Sequence, residues 1–136
     1  MIEEIIENMS LEEKVGQLFQ IGFSGQEVTS EVKEMITEYN VGGIIYFSRN
    51  IESPAQVAQL SNNLQELAVE NEGIPLMISA DQEGGTVTRL NGGTHFPGNM
   101  ALGATRDNNL AYKAGQATAG ELKNVGINMN LAPVLD

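Results

Sequence analysis

The chain has 136 residues and no cysteine, enough for one domain whose core buries roughly two-thirds of the unfolded surface, and without disulfides or thiolate zinc sites. Seven Lys and Arg against 18 Asp and Glu leave a formal charge of −11, which repels nucleic acid and anionic membrane surfaces and argues against both as partners. No apolar run approaches the ~20 residues of a membrane helix. Met1-Ile2-Glu3-Glu4 lacks a basic region followed by a long apolar one, so no secretory signal is read. The chain as it stands is expected in the cytoplasm, with export of a longer parent left open.

Ser10-Leu11-Glu12-Glu13 has the S-x-x-E pattern of a capping box and predicts a short helix from Leu11. Val15 to Phe23 then reads as a first strand, closed by Ser24-Gly25. From Glu27 to Tyr39, Val28, Val32, Met35 and Ile36 recur at helical spacing, with acidic residues early, where the helix dipole favours them. Val41 to Phe47 is a β-branched and aromatic second strand that runs into Ser48-Arg49-Asn50. Ser53-Pro54 is a helix start, with a hydroxyl N-cap and Pro at the first helical position. Val57, Leu60, Leu64, Leu67 and Ala68 form one apolar stripe behind it, and Gly73 stands where a helix C-cap prefers glycine.

Pro75 to Ala80 is a third strand, short, apolar and bounded like one buried on both faces. Arg89 to Gly103 is loop-like, with turn signals at Asn91-Gly92-Gly93 and Pro97-Gly98. A helix over 108–124 places Leu110, Ala114, Thr118, Leu122 and Val125 on one face and closes at Gly126, before a fourth strand over 127–135. The order β-α-β-α-β-α-β after a leading helix predicts parallel strands with helical crossovers. Pattern alone does not separate an open four-stranded sheet from the first half of a (β/α)8 barrel, whose full form takes about 250 residues.

Polar residues just past the carboxyl end of a parallel strand are where ligands bind in such folds. Here they are Asp81, Gln82, Glu83, Gly84, Gly85 and, eight residues after Asp81, Arg89. Asp81 and Glu83 would face one side if the strand continued, a placement that suits sugar hydroxyls, proton transfer or a metal. It suits equally a strand-end turn with one carboxylate capping backbone N–H groups. A metal is disfavoured because no His or third carboxylate lies nearby in sequence, and no cofactor is implied. Arg89 could hold a carboxylate or sugar oxygens with its planar fork, although on spacing alone a surface arginine or a salt bridge to Glu83 is the simpler expectation. The Gly84-Gly85 pair is not followed by a phosphate-binding glycine pattern. His95, the only histidine, stands in a loop without a Ser or Cys motif.

Asp81 through Arg89 resembles, without a gap, the D-[QH]-E-G-G-x-V-x-R signature of glycoside hydrolase family 3, in its β-N-acetylhexosaminidase branch. Supporting matches run from Leu11 to Leu18, over Val41-Gly42-Gly43-Ile44-Ile45, at Phe96-Pro97 with Met100 to Thr105, and from Gly126 to Asn128 with Leu131 to Asp136. The resemblance implies a retaining hydrolase on a TIM barrel that removes terminal β-linked N-acetylglucosamine or N-acetylhexosamine, often in cell-wall recycling. Its partner would be a carbohydrate, a glycan or muropeptide. By that resemblance Asp81 binds hydroxyls of the −1 sugar, Arg89 fixes the same sugar or its loop, Asp136 lies at the fourth strand end near the site, and Glu83 supports them from behind.

The family's nucleophilic Asp and its acid/base His, in a K-H-F-P-G-H-G-D-T loop, belong further along than Asp136. His95-Phe96-Pro97-Gly98 imitates that loop, but Thr94 and Asn99 replace its Lys and second His, so His95 is rejected as the acid/base. The expectation is thus a partial domain over 1–136, about four β/α units, carrying part of a sugar subsite and no catalytic residue, and inactive alone. The alternative is a non-catalytic half-barrel that self-associates through its exposed sheet edges or binds sugar without cleaving it.

Overall fold

The computed structural model describes residues 2–135. Helices α1 (Ile2–Asn8) and α2 (Leu11–Gly16) lead into strand β1 (Gln20–Ile21), helix α3 (Ser30–Thr37) and strand β2 (Gly43–Tyr46). A single 3-10 turn (Ser48–Asn50), helix α4 (Pro54–Glu72) and strand β3 (Met77–Ala80) follow. Helices α5 (Asn99–Ala104) and α6 (Asn108–Asn124) precede strand β4 (Met129–Asn130). The strands form one sheet in the order β1-β2-β3-β4, and every adjacent pair is parallel.

The helix starts follow the sequence signals closely. The capping box is complete, with the Glu13 N–H donating to Ser10 Oγ and the Ser10 N–H to the Glu13 carboxylate. Ser53 caps α4 by accepting from the Gln56 N–H, and Gly73 ends it at φ 73°. Helix α6 has the predicted bounds.

Successive strand residues point to opposite faces, and the register sets Ile44 beside Ile78 and Tyr46 beside Ala80. These four are buried in one cluster with Val32 and Ile36 of α3, Val57, Leu60, Leu64 and Ala68 of α4, and Leu122 of α6. All three connecting helices therefore cover the same face. The opposite face carries Ile45 and Ser79, and it leaves Met77 and Met129 exposed. Crossovers of one hand in a sheet that grows in one direction put every helix on one side. A doubly wound sheet reverses direction to cover both. The winding thus decides between the two architectures that the sequence left open, in favour of the barrel type.

Several elements differ from the sequence reading: α3 is shorter than the expected 27–39, and β2 and β3 each begin two residues later than expected. The expected strand over Val15 to Phe23 shrinks to β1, because α2 runs on through Val15 and Gly16 and because Leu18 and Phe19 are exposed at 85% and 58%. The fourth strand pairs only at Met129 and Asn130. The expected loop over Arg89 to Gly103 contains α5, whose N-cap Gly98 offers no side-chain bond for a sequence reader to notice. Helix α1 was not expected: it has no capping signal and buries none of its residues.

Candidate functional site

Strand β3 stops at Ala80, and Asp81 is the next residue, at the carboxyl end of the sheet. Its Oδ2 accepts from Arg89 Nη2 at 3.1 Å, and each side chain is about a quarter exposed, at 25% and 24%. The expected partner of Arg89 was Glu83, and this is a correction. The chain turns immediately after Gln82, with the Glu83 N–H donating to Val87 O and Gly84 bridging to Val87, so the strand does not continue and the two carboxylates diverge. Glu83 instead lines a cleft of about 490 Å³ that Asp81 does not reach, together with Gln82, Phe96, Arg106 and Asn130.

The other oxygen of Asp81 has no partner among the described residues, and Arg89 Nε is a buried donor with none. An ionised carboxylate only accepts and a guanidinium only donates. The pair therefore leaves one carboxylate oxygen without a protein partner at the strand end, while the unpaired guanidinium N–H is enclosed.

The glycine pair serves the loop's geometry. Gly84 and Gly85 adopt φ 83° and 61°, and a Cβ on Gly84 would stand 2.8 Å from Pro97 O. The returning segment Phe96-Pro97-Gly98 packs on this backbone, and the Gly85 N–H donates to Phe96 O at 2.9 Å. Further out, Thr94 ties the loop to α6 through its N–H and its hydroxyl, both donating to the Glu121 carboxylate. His95 is exposed and stands outside the cleft. Arg49, at the end of β2, is structural: Nε donates to Phe23 O at 2.8 Å, and the guanidinium lies 4.5 Å from the Phe47 ring centroid. Asp136 lies outside the described residues. Among the described residues no three His, Cys, Asp or Glu side chains gather as metal ligands, and no helix is long and apolar enough to cross a membrane.

Sequence reasoning missed the amides behind this site. Gln82, 6% exposed, accepts the Arg89 and Leu90 N–H groups on Oε1 at 2.7 and 3.1 Å. Asn130 accepts the Gln82 N–H and donates to Gln82 O, both at 3.0 Å. Asn128 does the same to the Ile78 N–H and Leu76 O, at 2.8 and 3.0 Å. The available signal was Asn128-Met129-Asn130, two amides at strand spacing beside the apolar third strand.

A parallel β/α domain wound on one face, with a charged pair at the carboxyl end of its third strand, is of the barrel class that binds ligands on that rim. The chain belongs to glycosyl hydrolase family 3: the family's N terminal domain matches residues 10–136. It is similar to a glycoside hydrolase family 3 beta-N-acetylglucosaminidase from Paenibacillus sp. str. FPU-7, at 56% identity and TM-score 0.89, covering 92% of this chain and 24% of that one. It is 42% identical to Beta-hexosaminidase A of Pseudoalteromonas piscicida, over 78% of this chain and 19% of the relative. NagZ from Neisseria gonorrhoeae, solved with N-trifluoroacetyl-D-glucosamine, is 31% identical at TM-score 0.73, over 86% of this chain and 36% of that one. The chain thus spans about a fifth to a third of these proteins, and its four parallel strands with the helices between them are the first half of the family's TIM barrel.

Proposed function

We propose that this chain is the sugar-recognition half of a β-N-acetylhexosaminidase, with Asp81 and Arg89 holding the terminal N-acetylglucosamine. The observation that carries this is the Asp81–Arg89 pair at the end of β3, open on one carboxylate oxygen and a quarter exposed. The names of the relatives and the amino-sugar analogue in the Neisseria protein agree with that substrate class. Glu83 supports the turn that presents the pair, and Asp136 is assigned to the same sugar on the family resemblance alone.

Retaining hydrolysis, as cell-wall glycan recycling would use it, needs a nucleophile and an acid/base flanking one bond, usually carboxyls about 5–5.5 Å apart. Asp81 is committed to Arg89, and Glu83 diverges from it. In this reading the chain recognises the sugar and lacks the reacting groups. Incubation with 4-nitrophenyl N-acetyl-β-D-glucosaminide is therefore expected to release no nitrophenolate. Turnover that survives Asp81→Asn and His95→Ala would overturn the assignment.

A second reading, self-association, is favoured by the open sheet. Strands β1 and β4 each have one neighbour, and Met77 is 50% exposed on the uncovered face. Unpaired edges and exposed apolar faces favour association.

A further inference from the structure

We propose that Gln82 is a positioning residue for the Asp81–Arg89 pair, so that sugar affinity depends on a side chain whose oxygen is already committed to two backbone N–H groups. The inference rests on the sugar-binding reading of that pair. Both lone pairs of Gln82 Oε1 are used, by the N–H groups of Arg89 and Leu90. Among the described residues these two N–H groups have no other acceptor.

The peptide of Gln82 is itself clamped in both directions by one amide, that of Asn130 in β4. The turn after Gln82 is closed by bonds within itself and to Phe96, none of which reaches Arg89. Gln82 is therefore the tie between the end of β3 and the backbone that carries the guanidinium, apart from the ion pair. A single-contact, quarter-exposed ion pair is weak on its own. A buried acceptor shared by two N–H groups is costly to remove. The amide, more than the charge, sets where Arg89 stands. Leu90, 3% exposed, anchors the far side of the tie in the core.

The test titrates the full chain with N-acetylglucosamine while following the Arg89 Nε–Hε resonance by NMR, with melting recorded separately. Gln82→Leu keeps the bulk and removes the acceptor, whereas Gln82→Glu keeps an oxygen at the same reach. Gln82→Leu is expected to weaken binding about tenfold and to lose the discrete Arg89 resonance, while Gln82→Glu retains both. Wild-type affinity and an unchanged Arg89 resonance in Gln82→Leu would overturn the proposal. So would parallel losses in Leu and Glu variants that follow only their melting temperatures. If the wild-type chain binds no sugar, the sugar reading fails, and the Arg89 resonance alone decides: loss in Gln82→Leu supports positioning, persistence refutes it. Should Gln82→Leu fail to fold, Gln82→Met, a poor acceptor of similar length, carries the same two outcomes.

Discussion

At the scale of single residues, the chain stakes much of its order on a few buried polar groups. Asn50 is fully buried, donates to Phe23 O and Gly25 O at 3.1 and 2.8 Å, and accepts the Phe47 N–H at 2.9 Å. It joins the ends of β1 and β2, and its replacement by Leu strands the Phe47 N–H and the Gly25 carbonyl, while Phe23 O keeps its bond from Arg49 Nε. We expect Asn50→Leu to cost about 2–4 kcal/mol in urea unfolding; a loss below about 1 kcal/mol would contradict this. Tyr46 is also buried, and burial pushes its hydroxyl up to about 12 despite the opposing bond to Ser61. A group whose folded value lies above its unfolded one stabilises fully below the unfolded value and loses that contribution as pH rises through the folded one. Stability is therefore expected to fall between about pH 10 and 12, by up to roughly 3 kcal/mol. Tyr46→Phe should flatten this part of the curve, and an unchanged profile would contradict the assignment.

The amides that organise the site were not legible in the sequence, although the two charged residues were, without their pairing. Asp81 and Arg89 stand out because carboxylate and guanidinium suggest chemistry wherever they occur. Which carboxylate meets Arg89 depends on the turn after Gln82, and spacing does not encode that turn. Gln82 and Asn130 resemble ordinary polar residues until the structure shows their bonds to each other and to the loop.

At the scale of elements, legibility followed local chemistry. The starts of α2 and α4 and the whole of α6 were readable because caps act over three or four residues. The carboxyl end of β3 at Ala80 was also readable, but the bounds of β1 and β4 were not, since a ladder exists only where a neighbour pairs; each has one neighbour and is two residues long. Gly73 gives a test at this scale. Its φ is 73° and a Cβ there would meet nothing within 4 Å, so Gly73→Ala isolates the backbone penalty from packing. The expected cost is about 1 kcal/mol at the end of α4, read from the urea midpoint, and an unchanged midpoint would contradict the left-handed cap.

For the whole molecule, the winding direction carries the architecture and charge opposes association. A net charge of −11 makes copies repel, while open edges at β1 and β4 and the exposed Met77 favour contact. Salt screens the first and leaves the second. If the half-barrel self-associates, sedimentation equilibrium should show a mass that rises from low to high salt; a monomer throughout removes that second reading. The central claim is recognition at the end of β3. It is tested most directly by titrating the wild-type chain and Asp81→Asn with N-acetylglucosamine, following backbone amides by NMR. The account predicts saturable shifts at 81–90 in the wild type and affinity at least about tenfold weaker in Asp81→Asn, since the charged acceptor is gone. Equal affinity in the two proteins, or shifts confined to residues away from this loop, would contradict it.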